Sequence, residues 1–126
     1  MKNKMQTNGF TLIELITVLV IIALLASIAT PIVTHSITRA KESALRENLQ
    51  VMRKALDDYF ADQGRYPQAL DELVEKRYLR HIPNDPITES KSVWQFKYYQ
   101  GDDGGIEDIH SGSDKVAGDG SRYREW

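Results

Sequence analysis

The 126-residue sequence contains no cysteine, so no disulfide can stabilise its fold. It also lacks any cluster of five to eight lysine and arginine residues, and its net charge of −2 argues against nucleic acid as a partner. Its three histidines are isolated, and neither a nucleophile elbow nor a phosphate-binding loop occurs. We therefore expect no catalysis and no nucleic-acid binding. A small domain without disulfides must draw stability from elsewhere, such as a metal, oligomerisation or a long helix.

Charged side chains are nearly missing from one long stretch. Between positions 10 and 33 the one ionisable residue is Glu14. At about 1.5 Å per residue, a helix of this length spans the roughly 30 Å hydrocarbon core of a bilayer. Lys2 and Lys4 precede the run, and no acid occurs before it. The positive-inside bias therefore predicts a single membrane pass with a cytoplasmic N-terminus, and the chain after about Thr34 on the other side.

An ordinary secretory signal is one interpretation of this start. Residues 27–29, Ser-Ile-Ala, would serve as a cleavage site and would release a soluble periplasmic module that begins at Thr30.

The position of Glu14 favours a different cut. An acid within a membrane helix costs on the order of 3 kcal/mol and needs compensation. Gly9 precedes the apolar run rather than following it. Cleavage between Gly9 and Phe10 would create an α-ammonium group four residues before Glu14, on the same helix face, where unlike charges attract.

Residues 9–15, Gly-Phe-Thr-Leu-Ile-Glu-Leu, resemble the cleavage and methylation motif of type IV pilins and type II secretion pseudopilins. The resemblance implies that a prepilin peptidase cuts after Gly9 and methylates the new amine of Phe10. It further implies that Glu14 neutralises the Phe10 amine of a neighbouring subunit during assembly. Pro31 is similar to the proline at which the pilin helix bends. A plain helix stop is the alternative, but helical pattern resumes after Pro31 and favours a kink.

An amphipathic helical pattern follows the apolar run. Its apolar residues recur at steps of three and four, namely Leu45, Leu49, Met52, Leu56 and Tyr59. The stripe covers only two heptads, too few for a coiled coil, so we expect it to pack against the rest of the chain. Gly64 predicts the end of the helix in a left-handed conformation.

The remaining chain predicts short elements around a small core. Pro67 is expected to open a short helix, and Pro83 and Pro86 to force a turn. Alternation over residues 93–99 predicts a strand with one buried aromatic face, formed by Trp94, Phe96 and Tyr98. Residues 106–110 predict a second strand and residues 111–120 a loop. The sequence thus predicts an α+β fold with four parts: a leader (1–9), a transmembrane and assembly helix (10–33), an amphipathic helix half (34–63) and a globular region (64–126).

The order of short motifs beyond residue 65 is similar to that of the major pseudopilins of type II secretion. These motifs are Tyr66-Pro67, Leu73-Val74, Tyr78-Leu79, Ile82-Pro83, Asp85-Pro86, residues 108–114 and Trp126. Two departures occur: the stretch before Leu70 is shorter, and Ile87-Thr88 replaces the usual Trp-Gly. They leave open a minor pseudopilin or a type IV pilus subunit working in adhesion, twitching or DNA uptake.

The resemblance also implies a cellular setting. It implies a type IV pilin-like fold, a bacterial inner-membrane anchor, a periplasmic C-terminal domain and polymerisation into a short filament, the pseudopilus, that drives protein export. The implied partners are further copies of the chain, minor pseudopilins, the prepilin peptidase, the inner-membrane secretion platform and membrane lipid.

A calcium site is the one cofactor that we expect. Asp114 and Asp119 lie five residues apart in a Gly-rich loop, and calcium takes hard oxygen ligands from such loops. Asp with Gly is also typical of any tight turn. Major pseudopilins hold a calcium ion in this region, and the resemblance implies Asp114, Asp119, Ser121 and the carbonyl of Ile109 as ligands. The loop is shorter here, and the customary run of adjacent acids is reduced to Asp119.

Overall fold

The computed structural model describes residues 9–91 and 93–126. It contains a long helix α1 (Leu12–Gln63), a short helix α2 (Leu70–Glu75), strands β1 (Gln95–Tyr98) and β2 (Ile106–His110), and a 3-10 helix (Tyr123–Glu125). The fold is the predicted α+β fold of the type IV pilin-like kind, with an apolar helix half followed by a half that packs on a small antiparallel sheet. Except for Gly9, the predicted leader, with Lys2 and Lys4, lies outside the described residues.

The chain divides into two compact units, one ending at Ile37 and the other formed by Thr38–Trp126. In the first unit every described residue is exposed, although most of them are apolar. Its part of α1 is long and apolar enough to cross a membrane, by length and composition. Nothing among the described residues of this unit covers the helix, so its apolar surface needs an external partner.

Helix α1 does not end at Pro31, so the interpretation of this residue as a plain stop is wrong. Two hydroxyl groups bond to carbonyl oxygens of the helix near the proline, Thr30 to Ala26 (2.7 Å) and Thr34 to Thr30 (2.6 Å). These bonds add polar contacts where the ring removes a backbone donor. A bend at Pro31 stays a prediction.

The core of the second unit lies along the stripe predicted from residues 45–59. All five predicted stripe residues of α1 are buried. They form one cluster with residues from the rest of the second unit, namely Leu70, Leu73, Leu79, Trp94, Ile106, Ile109, Ala117 and Tyr123. The spacing of three and four puts the stripe on one helix face, which explains why the whole set is buried together.

The segment between the helices differs in detail from the prediction. Gly64 has φ +70° and its N–H donates to the Phe60 carbonyl (2.9 Å), so α1 ends as predicted. However, α2 begins at Leu70 and not at Pro67. Pro67 is buried and its carbonyl accepts the Ile106 N–H (2.8 Å), a contact with β2 that holds it outside the helix.

Strands β1 and β2 form a two-stranded antiparallel sheet in which Phe96 faces Ile109. The predicted buried aromatic face is wrong for two of its three members. Trp94 is buried and its indole N–H donates to the Pro83 carbonyl (2.9 Å), but Phe96 is 36% and Tyr98 56% exposed. All four residues of β1 are exposed, whereas β2 contributes the buried residues to the core. In a sheet of two strands, β1 remains an edge strand.

Candidate functional site

The predicted cleavage site lies just before α1. Gly9 and Phe10 are exposed, and the Phe10 side chain is 90% exposed. Thr11 follows, and its hydroxyl accepts the Glu14 N–H (3.2 Å), as the N-cap of a helix does. Thr-x-x-Glu is also the spacing of a capping box. Helix α1 therefore begins shortly after the Gly9-Phe10 bond that we expect to be cut, and this bond lies outside regular secondary structure.

Glu14 lies in the first turn of α1, where the helix dipole favours a negative charge. Within residues 9–91 and 93–126 no basic side chain pairs with its carboxylate, and its apolar neighbours Ile13 and Leu15 are more than half exposed. The carboxylate is thus a lone charge on a helix surface that otherwise favours lipid or another apolar helix.

Small side chains form a shallow groove farther along the same helix. The groove measures about 380 Å³ and is lined by Ala26, Ala29, Thr30, Val33, Thr34 and Ile37. Small residues allow helices to approach closely in membranes. The groove begins before Pro31, the third residue expected to matter for assembly, and extends beyond it.

The predicted calcium ligands fall into separate contacts. Asp119 and Ser121 lie together: the Ser121 N–H and hydroxyl both donate to the Asp119 carboxylate (2.9 and 2.5 Å). The hydrogen bond from the Ser121 side chain is the main reason why the pKa of Asp119 is lowered. Asp114 instead forms an ion pair with Arg124 (2.9 Å).

The fourth predicted ligand, the Ile109 carbonyl, accepts a hydrogen bond from the Arg53 guanidinium (2.8 Å). Two of the four donors therefore face a cation already present in the protein. No group of three or more His, Cys, Asp or Glu side chains that could hold a metal occurs in the described part of the chain. The calcium site stays a prediction.

One structural residue was missed by sequence reasoning. Asp85 was expected only to form a turn, yet it is fully buried. Its carboxylate accepts the Ile87 N–H (2.9 Å) and the Ser111 hydroxyl (2.5 Å), which joins two segments 26 residues apart. An Asp directly before Pro was the signal, but Asx turns on the surface have the same pattern.

Comparison with known proteins adds independent findings. The family described as "Prokaryotic N-terminal methylation motif" matches residues 4–30. A type II secretion system core protein G from Klebsiella michiganensis is 29% identical over 98% of this chain and 95% of its own. Those from Aeromonas hydrophila and Pseudomonas aeruginosa are 32% and 34% identical, over 66% and 64% of this chain and 69% and 68% of their own. No solved structure is significantly similar to the chain.

Three features together define a pilin-like protein with an N-terminal methylation motif. They are the exposed apolar part of α1, the motif at its start, and the small α+β unit Thr38–Trp126, here called the head. Within that class the relatives agree in their description. The chain belongs to the type II secretion system core protein G family, the major pseudopilins. This finding confirms the resemblance drawn from the motifs beyond residue 65, and it argues against the type IV pilus alternative.

Proposed function

We propose that the chain is a structural, non-catalytic subunit of a type II secretion pseudopilus. In this proposal the prepilin peptidase cuts after Gly9 and methylates the amine of Phe10. The processed subunits then polymerise through α1 into a periplasmic filament that drives protein export. The filament includes further copies of this chain together with minor pseudopilins, and it grows from the inner-membrane secretion platform.

One observation carries the proposal: Glu14 is the sole ionisable residue between positions 10 and 33, the exposed apolar part of α1, and it lies four residues after Phe10. A carboxylate in apolar surroundings is unfavourable unless an opposite charge meets it. The amine released at Phe10 is such a charge, and a neighbouring subunit can supply it. Pairing of the two groups would set the axial register between subunits.

In this proposal two different partners cover the exposed apolar surface, one before assembly and one during it. Before assembly, membrane lipid covers residues 10–33, with the N-terminus in the cytoplasm and residues 64–126 in the periplasm. During assembly, the helices of other subunits replace lipid, and the groove beside Pro31 offers a close approach for one of them. The subunit would leave the bilayer because an equally apolar helix bundle takes it up.

Substitution of Glu14 tests the proposal. Glu14→Ala and Glu14→Gln should both permit cleavage after Gly9 and methylation, but should abolish filaments. Removing one partner of a buried ion pair leaves the other unpaired, at a cost of roughly 3–5 kcal/mol. Since Gln also serves in a capping box, Glu14→Gln separates loss of charge from loss of the helix start. Filaments are counted by electron microscopy of sheared cells, and processing is read from the intact mass.

Thr11→Val provides the matched control, because it removes the N-cap hydroxyl and keeps the charge of Glu14. This variant should still form filaments. Normal filaments from Glu14→Gln would contradict the role of the charge in register. A mature N-terminus other than Phe10, for example Thr30, would overturn the proposal as a whole and support release by a signal peptidase.

A further inference from the structure

All four predicted calcium donors already hold protein partners. Asp114 pairs with Arg124, and the Ile109 carbonyl accepts from Arg53. The Ser121 hydroxyl donates to Asp119 and accepts the indole N–H of Trp126 (2.7 Å). A calcium ion on these donors would have to displace two guanidinium groups, which carry charge of the same sign.

Helix α1 reaches the 111–126 segment through Glu42. One oxygen of its carboxylate, Oε1, accepts the Gly118 N–H (3.0 Å) and the Tyr123 hydroxyl (2.8 Å). Tyr123 is buried, and its burial together with this hydrogen bond raises its pKa to about 12. Hydrogen bonds to a charged group are stronger than those between neutral groups. Glu42 therefore fixes the middle of the segment and the 3-10 helix at once.

Two arginines of α1 hold the Trp126 end of the segment. The Arg46 guanidinium lies over the Trp126 ring, 4.3 Å from its centroid, in a cation–π contact. Arg53 donates to the main-chain oxygen of Trp126, to the Ile109 carbonyl and to the Asp108 carboxylate (2.8 Å for each of the latter two). Arg53 thus joins the end of β2 to the end of the segment.

We propose that Glu42, Arg46 and Arg53, here called the α1 clamp, fix the 111–126 segment without a calcium ion. The guanidinium groups supply the positive charge that an ion would bring: Arg124 lies on Asp114 and Arg53 on the Ile109 carbonyl, and the field of Arg46 acts on Asp119. All of these contacts lie within the second unit, so the proposal does not depend on filament assembly.

Limited trypsin digestion of the full chain in detergent tests the proposal. Lys115 and Arg122 are exposed within the segment and report on its opening. For the unchanged sequence, the rate of cleavage after Lys115 should be the same in EGTA and in millimolar calcium, and so should the melting temperature. Glu42→Ala should raise this rate by at least about tenfold in both conditions, because two hydrogen bonds to a carboxylate are lost.

Two further variants complete the experiment. Glu47→Ala is the control, since Glu47 is an exposed acid on the same helix and the described residues offer its side chain neither a hydrogen bond nor an ion pair. It should be cut at the unchanged rate. Arg46→Ala removes the cation–π contact and the positive charge near Asp119, and should raise the rate several-fold, which keeps the test valid if Glu42→Ala fails to fold.

Two outcomes would overturn the proposal. If EGTA speeds cleavage after Lys115 in the unchanged chain, or lowers its melting temperature, and calcium reverses the effect, an ion holds the segment. If Glu42→Ala and Arg46→Ala are both cut at the unchanged rate, the clamp contributes nothing to holding it.

Discussion

Arg77 holds a backbone conformation that glycine adopts more easily. Its φ is +65°, and it follows the last residues of α2. The Tyr78 N–H donates to the Leu73 carbonyl (2.8 Å) and the Arg77 N–H to the Val74 carbonyl (3.1 Å), which is a Schellman motif. Gly64 has the same conformation at the end of α1, where the sequence supplies the expected residue.

The two helix ends predict opposite effects of substitution. Arg77→Gly should raise the free energy of unfolding by roughly 0.5–1 kcal/mol, because it removes the clash of a Cβ in the left-handed region. Gly64→Ala should lower it by about 1 kcal/mol for the same reason. Chemical denaturation followed by circular dichroism measures both. A destabilised Arg77→Gly would show that the arginine side chain makes contacts worth more than the backbone strain.

Among the elements, β1 shows how an aromatic pattern can mislead. Phe96 and Tyr98 stack edge to face with each other, with ring centroids 6.3 Å apart, and both remain exposed. Trp94 lies in the same alternation, but it is buried and has a hydrogen-bonded indole. Trp94 precedes β1, which begins at Gln95, so it does not belong to the exposed strand itself.

Substitutions along β1 should therefore differ in cost. Trp94→Ala should destabilise the protein by about 3–5 kcal/mol, because it creates a large cavity in the core. Phe96→Thr and Tyr98→Thr should each cost clearly less than Trp94→Ala, and Tyr98→Thr the least, since threonine suits an edge strand and both side chains are partly exposed, Tyr98 more than Phe96. Thermal unfolding in detergent measures all three. A loss at Phe96 as large as that at Trp94 would contradict the exposed face.

For the whole molecule, the core belongs to the second unit alone. Every buried side chain of the described residues lies at or after Leu45, whereas the described residues of the unit that ends at Ile37 are all exposed. The described residues of the first unit therefore include no buried side chain, and their apolar surface needs an external partner.

A fragment comprising residues 38–126 should consequently fold without the apolar helix half. Its melting temperature should agree with that of the full chain in the same detergent within about 5 °C, the shift that about 1 kcal/mol produces in a domain of this size. The fragment should also remain in solution without detergent. An unfolded fragment would mean that residues before Thr38 stabilise the head through contacts that burial does not reveal.

The sequence by itself determined the features that depend on local pattern. The uninterrupted apolar run, the Gly9-Phe10 junction with Glu14, the stripe of residues 45–59 and the helix end at Gly64 follow from spacing and composition, which act within a few residues along the chain. Only the tertiary structure decided which strand faces the core, that the buried Asp85 joins two distant segments, and that the α1 side chains Glu42 and Arg53 bond to residues 109–126, the region of the predicted calcium donors. These outcomes depend on contacts between residues 26 to 76 positions apart, and no local pattern specifies which distant donor meets which acceptor.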